Sequence, residues 1–162
     1  MIDDTKVLKL AKNQKGLAQN EVEIQWGQDS YFGSILAHTF MYDPNDLWVE
    51  MELARKVTPD IFEQLVGFTF YDYCNVLRNY AITTNPQRYG KRFKVEVEPE
   101  IEEAMWEEEF TYDMLNFMGG YDVPFGDLCK LNTYGLVNRN GQNTIVMIDY
   151  GLNNNVWDDY YS

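Results

Sequence analysis

Three side chains in the last third of this 162-residue chain could do chemistry: Asp127, Asn132 and Asp149. Asp127 and Asn132 stand five apart in the run D-L-C-K-L-N. Asp149 closes an apolar run and is followed by Tyr150-Gly151. Between them, Asn138 to Gln142 separates Leu136-Val137 from Thr144–Ile148, and Asn-Gly between apolar runs is a strong hairpin signal. Other chemistries lack their parts. The one histidine, His38, lies in an apolar run with no G-x-S-x-G context, so a Ser-His-Asp centre is unsupported and His38 reads as a packing residue. Neither G-x-G-x-x-G nor G-x-x-x-x-G-K-[ST] occurs. Cys74 and Cys129 form no C-x-x-C pair, which argues against a zinc ribbon and a disulfide framework; free thiols in a reducing compartment are expected.

The Asp127–Gly151 pattern resembles the catalytic half of the protein kinase-like superfamily, in which an Asp-x-x-x-x-Asn loop precedes a hairpin ending in Asp-Phe-Gly or a near relative. The resemblance implies that Asp127 faces the attacking hydroxyl as the catalytic residue. It also implies that Asn132 and Asp149 hold Mg²⁺, which bridges the phosphates of ATP. Nearer the amino end, Val7-Leu8-Lys9-Leu10 resembles the strand whose lysine holds the nucleotide phosphates. Glu23 on the following helix could pair with Lys9, and Glu21 is the other candidate. Gly16–Glu23 (GLAQNEVE) and Ile148–Leu152 (IDYGL) are similar to segments of small phage-encoded members of that superfamily. The chain departs from the pattern in three places. No Gly-rich phosphate loop precedes Lys9, Phe125-Gly126 stand where His-Arg are usual, and no A-P-E follows Gly151.

Each of these residues also has a plain reading. Asp149-Tyr150-Gly151 can be a strand exit, Asp127 an N-cap or Asx-turn, and Asn132 a loop residue bonding its own backbone. Lys9 on a half-exposed strand can be a solvated lysine, and Glu23 a solvent-facing helix residue.

The elements that would position them follow from the pattern. Residues 5–12 alternate and read as a strand with one polar side. Leu17–Trp26 reads as a short helix. The runs 34–42 and 47–53 around Asp43-Pro44-Asn45-Asp46 read as a hairpin. Thr58-Pro59-Asp60 is a helix start, and helical spacing continues from Phe70 to Tyr80 before a loop at 83–90. Pro99 opens a helix whose stripe is Trp106, Phe110, Met114 and Phe117, with Gly119-Gly120 ending it. Residues 121–132 read as loop. The expected fold is therefore α+β and kinase-like. It is one domain over 1–162, with a small β-rich lobe at 1–56 and a helical lobe at 57–162 that carries the catalytic-loop-like segment 121–151.

Composition narrows the partners. With 45% hydrophobic and 15% aromatic residues the chain can bury a core, which excludes wholesale disorder. Its 26 acidic against 13 basic residues give a formal charge of −13, which repels phosphate backbones and anionic membrane surfaces, so no direct nucleic-acid or membrane partner is expected. The amino-terminal residues show no apolar signal region, and no run of about 18 apolar residues occurs, so a soluble, unsecreted protein of a host cytoplasm or a virion is expected. Two functions compete. One is a minimal kinase or pseudokinase using Mg²⁺ and ATP. The other is a non-enzymatic acidic protein that binds a host or virion protein, motivated by the charge and by the eight glutamates between Glu96 and Glu109.

Overall fold

The computed structural model describes residues 5–29 and 31–161. In chain order the elements are β1 (Lys6–Leu10), α1 (Gln14–Gly27), β2 (Thr39–Tyr42), β3 (Trp48–Glu52), β4 (Arg55–Lys56), α2 (Pro59–Val66), α3 (Phe70–Thr84), α4 (Pro86–Tyr89), α5 (Pro99–Glu107), α6 (Glu109–Tyr121), α7 (Phe125–Leu128), β5 (Tyr134–Arg139), β6 (Gln142–Met147) and α8 (Asn154–Tyr160). A 3-10 turn at Leu131–Thr133 precedes β5. The class is α+β, with two antiparallel sheets of three strands, ordered β1-β3-β2 and β4-β5-β6.

The chain divides into two compact units. The first runs to Lys56 and resumes at Asn132, so it holds both sheets, α1 and α8. The second is Val57–Leu131 and is helical. The β5–β6 hairpin, expected in the helical lobe, thus groups with the amino-terminal strands. Backbone pairing is the reason. Arg55 and Lys56 pair with Leu136 and Gly135, and Ala37 N and Met147 N donate to Met147 O and Ile35 O at 2.9 and 2.7 Å. The apolar run 34–42 therefore splits. Its first half lies along β6, and only Thr39–Tyr42 enters the hairpin with β3.

In the first unit, register sets which residues share a face. Val7 and Lys9 pair with Met51 and Val49, which are 3% and 0% exposed, whereas Leu8 and Leu10 pair with Glu50 and Trp48. Leu8 and Leu10 are exposed and Lys9 lies on the buried side, the reverse of ordinary strand patterning. Asn13 caps α1 by accepting from Gly16 N at 3.0 Å, which starts the helix three residues before the apolar pattern does. Its buried face carries Val22 and Trp26 together with the polar Asn20 and Glu23. The β5–β6 connection is the two-residue Asn140-Gly141, both at positive φ (54° and 83°), which matches the twist of the flanking strands.

In the second unit, Thr58 caps α2, and Gly67 ends it in the left-handed conformation, as the sequence pattern predicts. The 83–90 loop contains the short helix α4. The expected single helix from Pro99 is two helices, α5 and α6, separated at Glu108. That carboxylate accepts from Phe110 N (3.0 Å), Thr111 N (2.7 Å) and Thr111 Oγ1 (2.8 Å), so it caps α6 instead of facing solvent as one more glutamate of the run. Gly119 and Gly120 are helical, and α6 ends at Tyr121, with Asp122 in the left-handed region. The buried residues of α6 include Met114, Leu115, Phe117 and Met118. Replacing Glu108 by Ala is expected to lower stability by about 1 kcal/mol. Replacing the exposed Glu103 by Ala is expected to change it by less than about 0.5 kcal/mol. Urea unfolding of the two variants side by side checks the contrast.

Candidate functional site

Lys9 is the centre of the site. Its ammonium is 2.5 Å from Glu23 Oε1 on α1 and 3.4 Å from Asp149 Oδ1 beyond β6, partners 14 and 140 residues away in sequence. The strand turns Lys9 inward because Glu23 waits there, and Glu23 is wholly buried. Side-chain exposure rises along the triad from 0% for Glu23 through 32% for Lys9 to 65% for Asp149. A buried, ion-paired carboxylate thus holds a half-buried ammonium, with a solvent-facing carboxylate beside it. Glu21, the other candidate for the Lys9 partner, is exposed.

Glu23 is fixed from a second direction. Gly151 N donates to the same Oε1 at 3.2 Å, while Oε2 has no hydrogen-bond partner among the described residues. The Asp149-Tyr150-Gly151 turn lies hard against α1. A Cβ on Gly151 would stand 2.5 Å from the backbone oxygen of Gln19, so only glycine fits there. The Asp149-Tyr150-Gly151 turn leaves the end of β6 and bonds Lys9 and Glu23 directly.

Burial dominates the protonation chemistry of Glu23. Desolvation pushes its carboxyl up from 4.5 to about 6, against the opposing pull of Lys9. For Lys9, burial works against the ammonium, but the Glu23 and Asp149 carboxylates outweigh it and hold the group above its ordinary range. At neutral pH the pair is ionised.

Asn132 sits where the β5–β6 ladder runs out. Tyr134 pairs with Met147, and Ile148 N donates to Thr133 O at 2.8 Å. Asn132 itself lies in the 3-10 turn Leu131–Thr133, outside the ladder, and Asp149 follows the end of β6. The two residues expected to hold a metal thus flank one end of a single hairpin, and both are exposed. Among the described residues no group of three or more His, Cys, Asp or Glu gathers as for a metal ion. A carboxylate plus a carboxamide is not a cage. Asp127 belongs to the second unit, on the short helix α7, where it is ion-paired with Lys130.

Several contributors were not singled out from the sequence. Arg139 forms a two-pronged pair with Glu52, Nε to Oε1 at 3.2 Å and Nη2 to Oε2 at 2.6 Å. It also donates to the carbonyls of Gly33 (2.5 Å) and Leu36 (2.8 Å). Burial would raise the Glu52 carboxyl, but the guanidinium outweighs burial and holds it below the ordinary range. This clamp ties the 33–36 segment and β3 to the hairpin that carries Asp149. Nothing in a lone Arg after an apolar run announces it. Lys130 did carry a signal, the i,i+3 spacing from Asp127 on a short helix. His38 is half-exposed, and burial and Arg139 lower its pKa, in keeping with a packing role. Cys74 and Cys129 are free thiols.

No family model matches the chain, and no curated protein or solved structure matches it either. No helix among the described residues is long and apolar enough to cross a membrane.

The raised Glu23 pKa makes a signed prediction. A carboxyl that binds its proton more tightly folded than unfolded stabilises the fold below about pH 4.5, and that contribution is lost as pH rises through about 6. The stability difference between wild type and Glu23→Gln is expected to move by on the order of 2 kcal/mol across that window, against wild type as pH rises. Denaturant midpoints of both proteins at pH 4.5, 5.5 and 7 read it. Parallel curves would show that Glu23 titrates normally.

Proposed function

We propose that the first unit is a nucleotide-phosphate site of the protein kinase-like kind. The observation that carries this reading is Lys9 held between a buried helix glutamate and the exposed aspartate of the DYG turn. In kinase-like catalysis a strand lysine paired to a helix glutamate positions phosphate, and the aspartate after the hairpin meets the metal. Lys9 would donate to a nucleotide phosphate oxygen while Glu23 keeps the ammonium oriented and charged. Asp149 and Asn132 would hold Mg²⁺, whose chemistry is to neutralise phosphate charge. Asp127 enters the reading by its five-residue spacing to Asn132, as the acceptor of the attacking hydroxyl's proton. The balanced reaction forms a bond from that hydroxyl oxygen to the γ-phosphorus and breaks the bond to the β-phosphate oxygen, leaving ADP. A pseudokinase would keep the binding half of this scheme alone.

A second reading rests on the acidic run. Glu96, Glu98, Glu100, Glu103, Glu107 and Glu109 are all exposed, a surface suited to a basic host or virion protein. Such binding would weaken steeply with salt, because exposed charges are screened beyond about 8 Å at physiological ionic strength.

Calorimetry with Mg-ATP separates the two. The wild type is expected to bind only with Mg²⁺ present. Lys9→Met and Asp149→Ala are each expected to weaken binding at least about tenfold, the equivalent of about 1.4 kcal/mol. A folded wild type that binds no nucleotide at millimolar concentration would overturn the first reading.

A further inference from the structure

The contacts around Tyr150 reach further than the ion pairs they surround. Tyr150 is fully buried, yet it carries a hydroxyl. That hydroxyl donates to Ala37 O at 2.7 Å and lies 3.3 Å from Thr39 Oγ1. Thr39 Oγ1 in turn donates to Glu23 O at 3.2 Å. Two hydroxyl hydrogens thus serve two carbonyls, one on the 35–39 segment and one on α1. Ala37 is itself pinned to β6 through its N–H. Residues on both sides of Tyr150 act on the triad: Asp149 touches Lys9, and Gly151 N donates to Glu23 Oε1.

Packing alone does not account for the hydroxyl. A phenylalanine would fill the same ring volume and need no partner, whereas a buried hydroxyl is tolerated only when bonded. Here it is bonded to a segment anchored independently of α1. The backbone of Glu23 is reached through Thr39 and its side chain through Gly151, so the helix and the turn are referenced to one point.

We infer that the Tyr150 hydroxyl is a positioning group for the Lys9–Glu23–Asp149 triad, acting with Thr39 to keep α1 and the DYG turn in register. The inference deepens the nucleotide-site reading and rests on it for its functional consequence, but its structural content can be measured without nucleotide. Burial pushes the phenol well above the ordinary tyrosine range, so it stays a donor throughout the working pH range.

The test is Tyr150→Phe, with Thr39→Val as the second variant and Thr39→Ser as the conservative rescue. Two readouts are taken: amide hydrogen exchange of Gly151 against the β5–β6 ladder, and Mg-ATP affinity. Gly151 exchange is expected to rise at least tenfold in Tyr150→Phe and Thr39→Val while the ladder stays protected. Thr39→Ser is expected to restore the wild-type rate. Mg-ATP affinity is expected to fall at least tenfold in the same two variants. If Gly151 loosens in this pattern but even the wild type binds no nucleotide, the positioning role stands and the nucleotide reading fails. Should Gly151 exchange stay unchanged, or the ladder loosen equally, the hydroxyl has no positioning role and the inference is overturned. If Tyr150→Phe does not fold, the hydroxyl is a requirement of the fold rather than a positioning group, and the inference is overturned.

Discussion

A carboxylate with no solvent exposure is the constraint on which the rest of the first unit depends. An ionised carboxylate in a protein interior is costly unless it is paired and hydrogen-bonded. Glu23 receives an ammonium from β1 and a backbone N–H from the DYG turn, so three separate stretches of chain must converge on one oxygen. That demand inverts β1, turning Lys9 inward and leaving Leu8 and Leu10 exposed. It also makes residue 151 a glycine, since the turn must approach the α1 backbone closely enough to donate. A purely structural account would favour an apolar residue at position 23, because well-packed hydrophobic replacements of buried ion pairs often cost nothing. The pair presents an ammonium at the edge of solvent, bonded on its outer side to the exposed Asp149 carboxylate.

The charge of the whole protein sharpens this point. A chain at −13 repels a polyphosphate at long range, so on the proposed reading binding would rest on short-range charge and on a divalent cation. The exposure gradient across the triad suits both needs. Lys9 is desolvated enough for its charge to count, and Asp149 is open enough to draw a hydrated cation. The hairpin that carries Asp149 is stiffened from its far end by Arg139, whose planar fork meets Glu52 on two atoms while its remaining donors serve carbonyls. A lysine could not reproduce that geometry.

Much of this was legible in the sequence wherever local rules decide the outcome. Asn140-Gly141 gave a two-residue hairpin turn, Thr58-Pro59 a capped helix, and Gly67 its left-handed stop. Lys9, Glu23 and Asp149 are named through the resemblance to the kinase-like pattern, with Glu21 as the other candidate for the Lys9 partner, and the fold of α1 places Glu23 inward. Two of the misreadings, Lys9 and Glu108, share a cause: one side chain with a tertiary or capping partner overruled a periodic pattern. Alternation made Lys9 look solvated, and its ion pair reversed that. The apolar stripe ran unbroken past Glu108, and its capping bonds split the helix. Gly119-Gly120 looked like a stop, yet helix α6 runs through both. The apolar run 34–42 looked like one strand, and its first half was claimed by β6, more than 100 residues away. No local rule reports a partner at that distance.

The geometry bears differently on binding and on transfer. On the proposed nucleotide-site reading, Lys9, Glu23 and Asp149 would act on groups that carry charge before, during and after a reaction, and so would contribute affinity in the ground state as much as in the transition state. Acceleration would have to come from groups that meet the acceptor. Asp127 is the residue offered for that, and its carboxylate is already paired with Lys130. The Lys130 side chain is 59% exposed and that of Asp127 16%, so the carboxylate is the more sheltered partner of the pair. Glu23, by contrast, is wholly buried and held by Lys9 and by Gly151 N. Selection for nucleotide binding alone would maintain the triad and leave position 127 free to drift. Selection for transfer would hold Asp127 as firmly as Glu23, and the tolerance of those two positions to substitution is where the two histories diverge.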